Sequence, residues 1–109
     1  MSERVKQFKR SINTDPVVLE WRAQIAERFI FVSKSLESEA MLRGDATPLQ
    51  FHYANYVVLM EMAALAAMAH RENIRSEFPA EADLLRDDFL RNAGRCWDKF
   101  ETDAGQQPH

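Results

Sequence analysis

The stretch from Leu49 to Ala69 constrains this chain more than any other. It reads L-Q-F-H-Y-A-N-Y-V-V-L-M-E-M-A-A-L-A-A-M-A, and only Gln50, His52, Asn55 and Glu61 interrupt the apolar run. No proline or glycine falls inside it, and alanine, leucine and methionine dominate its second half, so the local preference is helical. A helix apolar over most of its circumference must be surrounded by other helices or by another chain. The expectation is a middle helix too apolar around its girth for its two neighbours to shelter. A flank of it lying open to water in a lone copy would collapse the case for a companion chain, and the expected role as a binder with it.

The run is nearly long enough to cross a bilayer, but Glu61 sits at its centre. A central acidic residue costs roughly 2.5–3.5 kcal/mol to insert, and the alanines that follow are only weakly lipophilic. No membrane span is expected. A chain of 109 residues is one domain by size. Its 46% hydrophobic and 28% charged residues are those of a folded globular protein rather than a disordered one. The formal charge of −3 argues against general nucleic-acid binding, which needs a basic face. Cys96 stands alone, so no intrachain disulfide forms, and a reducing compartment fits. The opening M-S-E-R-V-K-Q-F-K-R has no apolar run of the kind a secretory signal needs. The expected location is cytoplasmic.

Four helices are predicted. Val5, Phe8 and Ile12 recur at helical spacing with Arg4, Lys6, Lys9 and Arg10 between them, giving a short basic segment over 3–12. It is too short to stand alone and is expected to dock on the body through Phe8. Asp15 then caps a helix that begins at Pro16, where a missing N–H costs nothing, and Gly44 ends it in a left-handed turn. Val18, Trp21, Ile25, Phe29, Val32, Leu36 and Ala40 fall within about 60° of one line on that helix. A second, thinner row runs through Leu19, Ala26, Ile30 and Met41, and Phe31 belongs to neither row. Two rows require two neighbours.

Gly44-Asp45-Ala46-Thr47-Pro48 leads into the middle helix, with Thr47 and Gln50 at capping-box spacing. So short a connection makes the two long helices antiparallel neighbours. Gln50, Glu61 and Glu72 are spaced by eleven residues, three turns, and form a narrow polar line. Ala80 to Phe100 is helical by pattern, with Leu85, Phe89, Ala93, Cys96 and Phe100 on one side. Asp87 and Asp88 stand at pairing distance from Arg91, each pair worth about 0.2–0.5 kcal/mol. Gly94 costs up to about 1 kcal/mol there relative to alanine and allows a close crossing. The domain is expected to cover 1–103, with 104–109 a disordered tail.

Little chemistry is set out at recognisable spacing. His52 and His70 are about 27 Å apart along one helix, too far to share an ion within one chain. They meet only if two copies cross antiparallel at Glu61. No H-x₃-H, C-x-x-C or E-x-x-H pairing occurs, and no glycine-rich phosphate loop. No metal or cofactor is expected. Glu61 belongs to the solvated polar line, and Cys96 to an apolar stripe where a thiol is inert packing. His52, Tyr53, Asn55 and Tyr56 form the one dense polar and aromatic cluster.

The sequence therefore predicts an all-α antiparallel bundle of three long helices plus a short N-terminal one, the middle helix sandwiched and the whole dimeric. The expected role is non-enzymatic: a small acidic interaction protein, acting as inhibitor, adaptor or accessory subunit. It would bind an unidentified protein partner through Ile30 and Phe31. The alternative is a small-molecule sensor or carrier with a pocket lined by Trp21, His52, Tyr53 and Tyr56.

Overall fold

A computed structural model describes residues 3–106, and every regular element among them is an α-helix. The order is α1 (Glu3–Thr14), α2 (Pro16–Arg43), α3 (Pro48–Ile74) and α4 (Pro79–Gln106). No described residue lies in a strand. The boundaries follow from local chemistry. Asp15 accepts a 2.8 Å hydrogen bond from the Val17 amide, and Pro16 follows at the first helical position. Gly44 closes α2 with φ 68° and ψ 19°, its amide donating to the Ala40 carbonyl. That left-handed conformation strains any residue with a Cβ.

At the start of α3 the Gln50 amide donates to Thr47 Oγ1 at 3.1 Å, and the Thr47 amide donates to Gln50 Oε1 at 2.9 Å. This reciprocal pair satisfies two amides that the helix itself leaves without partners. Pro79 opens α4 after a corner in which the Phe78 amide donates to the Ile74 carbonyl at 2.7 Å. Helix α4 continues through 101–106, past the expected boundary at 103; residues 107–109 of the expected tail lie outside the described residues.

The chain divides into two compact units, Met1–Met62 and Ala63–His109. The division falls inside α3 rather than at a linker. In the first unit, Val5, Phe8 and Ile12 of α1 are half-buried, as a docked basic arm requires. Helices α2 and α3 run antiparallel: Glu37 meets His52, and one turn further from the connection Ser33 meets Asn55. In the second unit the best-buried side chains gather at the corner between α3 and α4. Ile74 and Phe78 are 7% exposed, Ala82 1% and Glu81 3%.

The expectation of a sandwiched middle helix is not met. Leu49, Tyr53, Tyr56, Val58, Met60, Leu65 and Met68 on α3 are all exposed, and α2 has no buried residue. The physical reason is a shortage of neighbours. Within the first unit, α3 has α2 beside it, and one neighbouring helix covers one side of its girth. The outer flank of α3 therefore does lie open in a single copy.

Candidate functional site

Ile30 and Phe31 occupy successive positions on α2, so they point about 100° apart and no single packing face hides both. Both are exposed, Phe31 by 71%. The core row fares little better, with Trp21, Ile25, Phe29, Val32 and Leu36 each close to half exposed. Contiguous exposed apolar surface is, in proteins generally, a feature of interaction sites.

Across the α2–α3 pair lies a set of polar contacts. His52 Nε2 is 2.7 Å from Glu37 Oε2, and Ser33 Oγ donates to Asn55 Oδ1 at 3.3 Å. The His52 ring stands edge-on to Phe51 with centroids 5.7 Å apart, and the rings of Tyr53 and Tyr56 are 6.4 Å apart. These contacts tie α2 to α3 by side-chain tips and leave His52, Tyr53 and Tyr56 exposed. Trp21 is not brought to them. It lies about 18 Å along α2 from Ser33, the residue that meets Asn55.

The second unit holds a cleft of about 340 Å³ between the end of α3 and the start of α4. Ala64, Ala67 and Met68 form one wall and Leu85, Phe89 and Leu90 the other, with Arg71 and Arg86 the charged lining residues. The alanines that keep α3 slender make room for it. Sequence reasoning placed Leu85 and Phe89 on an apolar side of α4 but did not pair them with Met68. The signal was present in that side, together with the alanine run facing it.

Beside the cleft, Glu72 takes Arg71 Nε at 3.2 Å and Arg75 Nη2 at 3.1 Å, while Arg75 Nη1 reaches Asp83 at 3.6 Å. The hydrogen bond from Arg75 holds the Glu72 carboxyl below its ordinary value, and the Glu72 carboxylate raises the Arg75 guanidinium in return. This cluster staples the α3–α4 corner from outside. On α4, Arg91 pairs with Asp88 at 2.9 Å, whereas Asp87 faces Arg86 at 3.8 Å instead of the expected Arg91.

Glu61 and His70 are exposed on α3, and Cys96 is an exposed free thiol on α4. Among the described residues no group of three or more His, Cys, Asp or Glu is placed to hold a metal ion. No helix among them is long and apolar enough to cross a membrane. The geometry so far defines a class: every regular element among the described residues is a helix, and large apolar side chains are exposed along α2, α3 and α4. The chain matches no family model, and no curated protein or solved structure is significantly similar to it.

Proposed function

We propose that this chain is a non-enzymatic helical interaction protein, acting as a homodimer that binds a protein partner through the outer face of α2. The observation that carries the reading is the exposure of large apolar side chains along α2, α3 and α4.

An open flank in a single copy is also the observation expected above to collapse the case for a companion chain: on that reading the helices are content in water and need none. Magnitudes decide between them. Full burial of a large apolar side chain is worth about 1.5–3 kcal/mol, so each half-exposed member of the α2 row forgoes about 1 kcal/mol. Trp21, Ile25, Phe29, Val32 and Leu36 together forgo on the order of 5 kcal/mol, against the roughly 5–15 kcal/mol that holds a whole domain folded. A chain that leaves so much unburied gains by covering it. The negative formal charge fits a cationic rim on the partner.

The test is capture of partners from the native host by the full chain, with Phe31→Asp and Ile30→Asp alongside. The reading expects a stoichiometric protein that Phe31→Asp loses by tenfold or more while circular dichroism is unchanged. Capture that ignores both substitutions would remove the α2 face from the interface.

A further inference from the structure

Helix α4 is bare beyond the cleft. Every residue from Arg91 to Gly105 is exposed, Trp97 by 63% and Phe100 by 67%. An isolated helical segment of that length is marginal in water. It also carries Gly94, a poor helix former whose missing side chain relieves nothing within this chain. A methyl group at that position would meet no atom within 4 Å. The space beside Gly94 is open, and a residue without a side chain lets another backbone come close there.

The sequence of α4 says which. On 3.6 residues per turn, Arg86, Leu90, Ala93, Trp97 and Glu101 fall within about 60° of one line, with Gly94 at its edge. This stripe is complementary to itself. Turned end for end about the point between Ala93 and Gly94, it sets Leu90 opposite Trp97 of a second copy and Arg86 opposite that copy's Glu101. The two smallest residues then lie at the crossing, the apolar pair next, and the opposite charges outermost. A two-fold axis makes each contact twice, which closes the assembly at two chains. Leu90 and Arg86 also line the cleft, so the second copy's Trp97 comes down at its mouth. Among the described residues the ion pair that Arg86 makes is a long one, to Asp87 at 3.8 Å, on an exposed side chain.

We propose that a second copy of this chain docks antiparallel along α4, crossing at Ala93–Gly94, with Leu90 against Trp97 and Arg86 against Glu101. The inference rests on the homodimer reading above and assigns its interface. It leaves Ile30 and Phe31 on α2 open to a different protein.

Sedimentation equilibrium of the full chain tests it, with Gly94→Leu, Arg86→Glu, Glu101→Arg and the double charge reversal. Gly94→Leu is expected to weaken dimerisation about a hundredfold or more while the helical circular dichroism is kept or increased, because leucine favours a helix over glycine. Each charge reversal weakens the dimer about tenfold, and the double variant returns to within about threefold of the original. A chain that stays at 12.6 kDa at every concentration removes the homodimer reading and this docking together. A dimer unmoved by Gly94→Leu, or charge reversals that do not rescue each other, keeps the homodimer and overturns the α4 interface. Should Gly94→Leu lose helicity, the charge-reversal set decides alone.

Discussion

Gly44 shows how much one residue settles. Its φ of 68° turns the chain out of α2 and lets its amide reach the Ala40 carbonyl. A side chain there meets no neighbouring atom, so Gly44→Ala isolates the backbone cost, expected at about 1–2 kcal/mol in thermal or urea melts. Glu72 gives a pH signature. Its folded value lies below the ordinary 4.5 because Arg75 donates to it, so the unfolded chain binds the proton more readily. The stabilisation is therefore complete above the ordinary value and is lost as pH falls through the lowered one. Glu72→Gln should lower the melting temperature at neutral pH by a small amount, since the pair is exposed. That difference should close as the pH drops below the carboxylate range; a difference that persists in acid would assign the effect to something other than charge.

At the scale of the element, α2 and α3 are joined by the tips of Glu37, His52, Ser33 and Asn55 while their apolar rows stay wet. That arrangement makes a specific forecast about Leu36. In a covered core, Leu→Ala costs about 2–5 kcal/mol, but a residue half in water loses nearer 1 kcal/mol. Equilibrium unfolding of Leu36→Ala thus reads out whether the row is sheltered in solution. A cost near the upper figure means that another chain covers it, and one near the lower means that it stays open. The α3–α4 corner differs, because Ile74, Phe78 and Ala82 find full burial within one chain.

For the whole molecule, the proposed association makes a forecast about how stability depends on concentration. If two copies fold and associate together, the melting temperature rises with protein concentration by mass action. Dilution from about 100 μM to about 1 μM should then lower it by several degrees. A melting temperature constant across that range would describe a chain that is stable alone. The same dilution series under Phe31→Asp should be unchanged, because the proposed docking along α4 leaves that residue outside the dimer interface.

What the sequence determined by itself is local: four helices, the Asp15 cap, the Gly44 turn and the Thr47–Gln50 box all follow from hydrogen bonds within a few residues. It also determined the directions in which the two rows on α2 and the apolar girth of α3 face, because that follows from the helical period. Tertiary structure alone decided where the chain does bury side chains, at the Ile74–Phe78–Ala82 corner, and that Met68 faces Phe89 across a cleft. It also decided that Trp21 stands far along α2 from His52 and the tyrosines. These depend on which helix faces meet over distance, and helical period fixes a residue's direction on its own helix but not the helix opposite.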